Sequence, residues 1–578
     1  MSLIAWYKLD GNADDSMGLL AGTANNITWE AGKIEQCGNF NGVNSRVSMG
    51  IGSDLFPKPN LSLSVWFKSY GITATTGTLP GIFGLTYGIR LFVLENRTYF
   101  SWDDGTTTNS IIATTNFHND GKWHHAVATL SPTEVKFYID GTLIGTNSTN
   151  HWLGTTRWPT NSLNLGRDNN NANYYFTGLI DDFKIYDHAL SQKEVKELSK
   201  AKVLHYKFND FQEPTTNVVT NTNLDTGWSK NYCTGILWND IDPPEGINSP
   251  VVSFYDADTT QSAYWYSYGD YAPQVPNTTY TVSLYVKTND SNFRIRFYTA
   301  NNAEVGRYTS EFITVPNDGQ WHRVVWNSFL NAADSASDSL SFYFAFGNLQ
   351  GETQRTWFCA PQMEAKDHVT PFVVGTRTGE ISDCSGYDNN STLALTTTPQ
   401  WITDSKLGSG CFEFNGNDSY IELSQPIPQI GNSSLTLSMW CYFNDDSRGI
   451  LFGDYTRPNA TGINFEKHIN RRLRLYWSAN PDIFTPDNVV PLNEFCHVIF
   501  VIDRENNQVR FYVGSQLVHT YNGTLTEYNV NSLFLLGRDN RTGTTTLNGK
   551  IDDVRIYATA LSDDDILELY QTRASLDN

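Results

Sequence analysis

Carboxylates, histidines, cysteines and aromatic rings beside polar groups are the side chains of this sequence that could act on or hold a ligand. Two acidic pairs, Asp181-Asp182 and Asp552-Asp553, occupy matching stretches, GLIDDFKIYDHALS (178–191) and GKIDDVRIYATALS (549–562). Glycoside hydrolysis needs two carboxyl groups flanking one bond. Neighbours on a strand point to opposite faces, so neither pair is expected to do this. Parity also places Asp552 on one face with Val554 and Ile556, where an inward carboxylate needs a partner. His124-His125 fails as a metal pair for the same reason of alternation, and no Cys or His lies at ligand spacing. Cys37, Cys233, Cys359, Cys384, Cys411, Cys441 and Cys496 show none of the close pairings of metal knuckles or redox motifs. They are expected to be reduced core residues, Cys37 and Cys411 filling one small slot in each of two repeats.

Sugar recognition stacks pyranose C–H faces on rings and fixes hydroxyls with nearby polar groups. The candidates are Arg167-Asp168-Asn169 and Arg538-Asp539-Asn540, a loop that occurs twice, and Trp152, Trp158, Trp265, Tyr266 and Tyr268 in polar surroundings. For each, a turn held by its own Arg–Asp pairing or a ring buried in a core is the alternative.

The elements that must position these residues repeat. GKIEQCGNFNGVNSRVSM (32–49) recurs as SKLGSGCFEFNGNDSYIEL (405–423), LSLSVWFK (61–68) as LTLSMWCY (435–442), and VKFYIDGTLIGT (135–146) as VRFYVGSQLVHT (509–520). SLNLGRDN (162–169) recurs as SLFLLGRDN (532–540), and the blocks keep their order. Most alternate apolar and polar residues between Gly and Asn turns, as antiparallel strands do, with Asp140-Gly141 as a two-residue hairpin turn. Ser191 and Ser562, followed by Glu194 and Asp565, predict a capped helix closing each copy. The second copy's first strand is found upstream: VLHYKFND (203–210) parallels LIAWYKLDG (3–11). Residues 1–200 are therefore expected to form one domain, 203–210 plus 379–578 a second, discontinuous one, and 211–378 an inserted β domain.

A formal charge of −21 without a Lys/Arg-rich stretch argues against nucleic acid and membrane-surface partners. Strand-like sequence from Leu3 and the lack of a long apolar run predict no signal peptide and no membrane insertion.

The order YKLDG, FNG, LSLSVWF, GKWHHAV, VKFYIDG, LNLGRD and GLIDDFKIYDHALS resembles the laminin-G-like, concanavalin-A-like lectin/glucanase jellyrolls, over nearly all of both repeats. The insert, from TNTNLDTGWSKNY to PQMEAKDHVTPFVVGTR (221–377), resembles carbohydrate-binding-module-type jellyrolls, and its closing stretch is similar to bacteriophage tail and virion proteins. The fold class implied is all-β: two concanavalin-A-like jellyroll sandwiches, the second interrupted by a third. Glucanases of this fold carry E-x-D-x-x-E on one strand, and no such strand occurs here. Ser101-Trp102-Asp103-Asp104-Gly105-Thr106-Thr107 fits most of a sialidase-type Asp box, with Thr108 where Trp belongs; occurring once, it reads as an Asp/Gly turn. The resemblance also implies a structural calcium, on Asp10, Gly42 and Asp181 in the first copy and Asn209, Gly416 and Asp552 in the second, where Asn209 removes one charge.

The resemblance and the missing catalytic set together predict a non-enzymatic bacteriophage virion protein, a tail adhesin or fibre-associated protein or a capsid decoration, assembled in the host cytoplasm. Its expected partners are other virion proteins and host cell-surface glycans, and a symmetric homo-oligomer is expected. A glycan-cleaving depolymerase and a bacterial secreted carbohydrate-binding protein are the alternatives.

Overall fold

A computed structural model describes residues 3–574 except 52–57, 71–78, 86–87, 95–96, 104–106, 115–117, 149–161, 169–173, 210, 212–214, 220–221, 223–227, 232–235, 240, 246, 256–263, 268–277, 301–304, 331–338, 346–354, 367, 375, 378, 394–398, 428–433, 456–461, 479, 527–532 and 541–544. The alternating blocks form antiparallel sheets, and the chain is all-β apart from its short helices. In the first copy one sheet runs Thr142–Asn147, Val135–Ile139, Asp120–Leu130, Leu61–Tyr70, Thr177–Tyr186, Gln36–Asn41, Thr28–Ala31, with Leu3–Tyr7 also on Thr177–Tyr186. The facing sheet runs Thr108–Ala113, Arg97–Asp103, Ile89–Leu94, Gly81–Gly84, Ser162–Leu165, Arg46–Ile51, Gly22–Asn25. Between them pack Tyr7, Phe40, Phe67, Leu91, Phe100, Trp102 and Phe137, the members of each strand's inward parity.

The second copy repeats this order. Cys411–Asn415, Asn548–Tyr557, Leu435–Phe443, Phe495–Asp503, Gln508–Val513 and Gln516–Asn522 make one sheet. Ile421–Glu422, Leu535–Leu536, Gly449–Gly453, Ile463–His468, Arg472–Trp477 and Ile483–Phe484 make the other. Lys202–Tyr206 lies on Asn548–Tyr557 as Leu3–Tyr7 lies on Thr177–Tyr186. The turn after it repeats too: Asp15 Oδ1 accepts the Trp6 N–H and Asp383 Oδ1 accepts that of His205, both at 2.8 Å. The positions answering Asp10 and Asp15 are thus Asn209 and Asp383, and the intervening chain is inserted between them.

Contacts divide the chain into two compact units, Met1–Asn209 with Ser382–Ser391 and Ile402–Asn578, and Asp210–Ile381 with Thr392–Trp401. The second unit is itself two sheets. One is Trp228–Asn231, Tyr264–Ser267, Ser339–Ala345, Arg294–Ala300, Val305–Thr309, with Ile313–Thr314 on Arg294–Ala300; the other is Ile236–Trp238, Val252–Tyr255, Arg355–Glu364, Thr279–Thr288, His322–Leu330. Val282, Phe293, Phe297 and Phe358 lie in its core. Thr215 and Thr216 pair with Arg377 and Thr376, so its two ends leave side by side.

Local signals held where turn chemistry decides. Asp140 and Gly141 both take positive φ, 50° and 75°, as a two-residue hairpin joining Val135–Ile139 to Thr142–Asn147 requires. Ser191 caps Gln192–Ser199 in a complete capping box with Glu194, and Ser562 and Asp565 exchange the same bonds at Asp563–Ala574. Cys37 and Cys411 are free and buried, whereas Cys384, expected in the core, is free and exposed: it sits in the turn after the second copy's first strand. Cys233 lies outside the described residues. Among the described residues no helix is long and apolar enough to cross a membrane.

His124 and His125 point apart: His124 bonds Asp120 and Asp140, while His125 bonds Ser64 Oγ at 2.8 Å. Burial holds the His125 imidazole down at about 4, against 6.5 in an unfolded chain. A His with a depressed folded value contributes stability present above the unfolded value and lost as pH falls from there toward the folded one. The stability difference between wild type and His125→Gln, from urea melts, is therefore expected to shrink by roughly 2 kcal/mol between about pH 7 and pH 5. A difference that does not change with pH contradicts this.

Candidate functional site

The strand Thr177–Tyr186 changes neighbours halfway along one edge: residues 177–180 pair with Gln36–Asn41 and residues 183–186 with Leu3–Tyr7. At the change the register with Leu61–Tyr70 slips between Asp181 and Lys184, and Asp182 takes φ 49°. Asn548–Tyr557 does the same between Cys411–Asn415 and Lys202–Tyr206, with Asp553 at φ 48°. Each acidic pair thus sits on a β-bulge beside a gap in the ladder, where loop amides need acceptors.

The bulge overturns both parity readings. Asp181 lies opposite Trp66, which is outside the core formed by Val65 and Phe67. Asp182 accepts the Trp6 indole N–H at 2.5 Å and the Lys184 ammonium at 2.7 Å, and Lys184 lies opposite Ser64 on that same outer face. The two carboxylates therefore share a face. In the second copy Asp552 stands opposite Trp440, while Val554 and Ile556 stand opposite Tyr206 and Leu437 in the core. One extra residue reverses the alternation.

Asp10 and Asp181 grip one loop. Asp10 Oδ1 accepts the Gln36 N–H and Asp181 Oδ2 that of Ile34, both at 2.9 Å. Glycine is needed at Gly32, where a Cβ would come within 2.6 Å of Asp181 Oδ2. Burial first, then the neighbouring Glu35 carboxylate, pushes the Asp10 carboxyl up to about 8; burial and Asp182 raise Asp181 well above the carboxylate range. Asp181 Oδ1 is buried without a partner. An unsatisfied buried oxygen among crowded carboxyls is what a hard, oxygen-seeking cation such as calcium compensates. The second copy keeps half of this: Asp552 Oδ2 accepts the Lys406 and Leu407 amides at 3.0 and 2.8 Å, its Oδ1 is unpartnered, and burial raises it to about 7. Asn209 Oδ1 accepts the Ser409 N–H, and Gly408 stands where the first copy has Glu35. With two acids replaced, a divalent ion fits the first copy better.

Gly42 and Gly416 do not belong to these sites. Gly42 follows Asn41, which pairs with Thr177, at the far end of the strand from Asp181; its φ of 73° and contact with Thr177 mark it as a turn glycine. Gly416 likewise turns beside Asn548. Their place is taken by the loops 32–36 and 405–409. Among the described residues no group of three or more His, Cys, Asp or Glu is arranged to hold a metal, so backbone carbonyls would have to complete the first site.

The repeated Arg-Asp-Asn loop is built inward. Asp168 and Asp539 are fully buried. Arg90 reaches Asp168 at 3.2 Å, and Asn464, at the matching strand position, donates to Asp539 at 2.8 Å. Asn540 donates to the Asp454 and Leu533 carbonyls. Arg167 and Arg538 lie over the rings of Tyr175 and Tyr420, at 5.1 and 4.7 Å. These aspartates hold a turn and are not placed to meet a sugar. Asn169, Trp152, Trp158 and Tyr268 lie outside the described residues; Trp265 and Tyr266 fall on Tyr264–Ser267, a strand whose side chains are not described.

A surface that the sequence did not single out is the outer face of the second copy's smaller sheet. Arg472, Arg474 and Tyr476 share it, opposite His468, Glu466 and Asn464, with Phe484 opposite Arg474. Leu473, Leu475 and Trp477 fill the inner face. Half-buried Phe484 has the Arg472 guanidinium 4.2 Å from its ring centre, and Tyr476 has Arg474 at 5.0 Å and Tyr455 edge-on at 4.8 Å. Beneath, buried Glu466 binds Arg448 at 2.7 and 2.9 Å and Arg474 at 3.1 Å. The matching face of the first copy is aromatic instead, with Phe92 and Tyr99 stacked at 5.0 Å. Pattern alone marks these residues only as an outward strand face; the pairing across three strands makes them a platform.

The chain is similar to parts of several known proteins. Domain 4 of AbnA, a GH43 extracellular arabinanase from Geobacillus stearothermophilus in complex with arabinotriose, is 24% identical, over 34% of this chain and 98% of that one, with a TM-score of 0.30. The Ruminococcus gnavus IT-sialidase CBM40 bound to α2,3-sialyllactose is 17% identical, over 28% and 96%, at 0.25. The botulinum neurotoxin type G receptor-binding domain is 14% identical, over 56% and 81%, at 0.28. No curated protein matches. The family model of the concanavalin A-like lectin/glucanases, laminin-G type, matches residues 40–196 and 415–567, more than half of the sequence and both copies of the repeat. This chain belongs to the concanavalin A-like lectin/glucanase superfamily.

Proposed function

We propose that the chain is a non-enzymatic glycan-binding protein of a bacteriophage virion, a tail adhesin or fibre-associated protein or a capsid decoration, presenting its lectin-like jellyrolls to host-surface glycans. The observation that supports glycan binding best is the platform on the second copy. Phe484 and Tyr476 offer half-buried rings beside the Arg472 and Arg474 guanidiniums, Arg474 being fixed by Glu466 and Asp482, the combination a pyranose needs. The acidic pairs support a role without bond cleavage, because Asp181, Asp182 and Asp552 are each committed to loop amides or to Trp6 and Lys184. The virion setting rests on the closing stretch of the insert, PQMEAKDHVTPFVVGTR, and other virion proteins are its partners. A glycan array probed with the whole chain and with Tyr476→Ala and Phe484→Ala tests the platform. Each substitution is expected to weaken binding roughly tenfold, the equivalent of one lost stacking contact of ~1.4 kcal/mol, with the chain still folded at the temperature of the assay. Unchanged binding by both variants sinks it.

One structural calcium belongs to this proposal, held in the first copy by Asp10 and Asp181. Calcium at about a hundred times its Kd is expected to stabilise the chain by ~2.7 kcal/mol, read as a raised melting temperature. Asp181→Asn should remove that shift, and no shift in the wild type at millimolar calcium contradicts the site.

A further inference from the structure

The ring of His124 stands between two carboxylates, its Nδ1 2.8 Å from Asp140 Oδ2 and its Nε2 3.1 Å from Asp120 Oδ1. An ionised carboxylate only accepts, and a neutral imidazole carries one N–H, so the ring can bond both oxygens only as the imidazolium. Against burial, which lowers it, the bonds to Asp140 and then Asp120 hold the His124 imidazole above its ordinary value. His118 stands edge-on to it, ring centres 4.7 Å apart, with its Nδ1 3.1 Å from Thr98 Oγ1. Burial, then the like charge of His124, holds His118 down at about 4. The Phe67 ring faces His124 from the neighbouring strand at 5.9 Å. Lys33, whose ammonium burial lowers to about 8, lies near Asp140.

The two carboxylates come from different places. Asp120 opens the strand Asp120–Leu130, where its Oδ1 also accepts the Lys122 N–H; Asp140 begins the hairpin turn between Val135–Ile139 and Thr142–Asn147. The insert has the same Asp-Gly-x-Trp-His run at 318–322, with His322 Nε2 2.9 Å from Asp318. The local run thus supplies one carboxylate, and Asp140 adds the second. The second copy has neither. Gly514 donates to the His497 carbonyl as Asp140 donates to that of His125, so Cys496, Leu492 and Gly514 stand where the first copy has His124, Asp120 and Asp140. All three members are replaced together. In the first copy the hairpin tip bears on its surroundings: a Cβ at Gly141 would lie 2.7 Å from Ser199 Oγ of the closing helix. The second copy is close by, Lys122 reaching Glu505 at 3.4 Å and Tyr387 meeting Trp6 edge-on with ring centres 5.1 Å apart.

We propose that Asp120, His124 and Asp140 form a proton-dependent staple, in which the imidazolium ties the turn 118–122 to the hairpin of the first copy and its deprotonation at alkaline pH loosens that hairpin while the second copy's is unaffected. A His whose folded value is raised contributes stability fully present below the unfolded value of 6.5 and lost as pH rises through the folded one. The neutral ring keeps one donor and leaves the other carboxylate facing a bare nitrogen. The staple does not depend on what the jellyrolls bind.

The second copy serves as an internal control. Hydrogen exchange is measured on the whole chain at about pH 6 and about pH 9, as protection corrected for the intrinsic rate, a range that spans the charge change of a raised His and excludes that of His118. Protection in Val135–Ile139 and Thr142–Asn147 is expected to fall roughly fivefold relative to Gln508–Val513 and Gln516–Asn522, the scale of two half-exposed charge pairs. His124→Gln, neutral throughout, should remove that difference, and Asp120→Asn, at an exposed turn position, should shrink it. An equal change in the two hairpins overturns the proposal. So does a difference that survives His124→Gln, as titration of Lys33 beside Asp140 would give, or one that Asp120→Asn leaves untouched.

Discussion

Tyr206→Ala is expected to destabilise the second jellyroll by about 4 kcal/mol, the range for truncating a large buried aromatic side chain. Tyr206 is fully buried, stands opposite Val554, and its hydroxyl meets the Asn389 carbonyl at 2.5 Å and Ser391 Oγ at 2.6 Å. The substitution leaves a cavity and strips two polar groups of a partner. Its sequence neighbours belong to the first copy's closing helix, yet its contacts are with strand Asn548–Tyr557 and residues 389–391. Hydrogen exchange should therefore accelerate in Leu435–Phe443, Phe495–Asp503 and Asn548–Tyr557, and less in Leu61–Tyr70 and Asp120–Leu130. Acceleration confined to the first copy would contradict the assignment of Lys202–Tyr206 to the second.

Glu466→Ala should cost about 3 kcal/mol, seen as a lower urea midpoint, because removing one member of a buried ionic cluster leaves the other charges uncompensated. Glu466 is fully buried and holds Arg448 and Arg474; among the described residues only Arg474 has a second carboxylate, Asp482 at 2.6 Å. Arg474 would then lose one of the two carboxylates that fix it beside Tyr476 and Phe484, so glycan binding should fall with stability. A variant of wild-type stability would show that the cluster is solvated and the platform not preorganised.

Much of the fold was legible because it is written twice. Matching blocks in one order gave the strands and the upstream first strand of the second copy; Asp140-Gly141 and the Ser191 and Ser562 caps followed from local chemistry. The site was less legible, for identifiable reasons. A bulge at Asp182 or Asp553 leaves no mark in an acidic dipeptide, yet one residue of slip moves Asp552 from the core face, where alternation put it, to the outer face. Gly42 and Gly416 recur beside Phe-Asn, but they serve a turn at the far end of the strand from Asp181 and Asp552. Asp168 and Asp539 look exposed in a polar loop; what buries them, Arg90 and Asn464, differs between the copies and cannot be matched by similarity. The Glu466 cluster and the Tyr387–Trp6 contact join residues from distant strands or from the two copies, and no periodicity within one segment records them.

The central claim, binding without cleavage, is tested most directly by incubating the whole chain with a glycan it retains on the array and measuring that glycan's mass before and after. An unchanged mass with binding intact is the predicted result; release of a shortened glycan by the purified chain would contradict it.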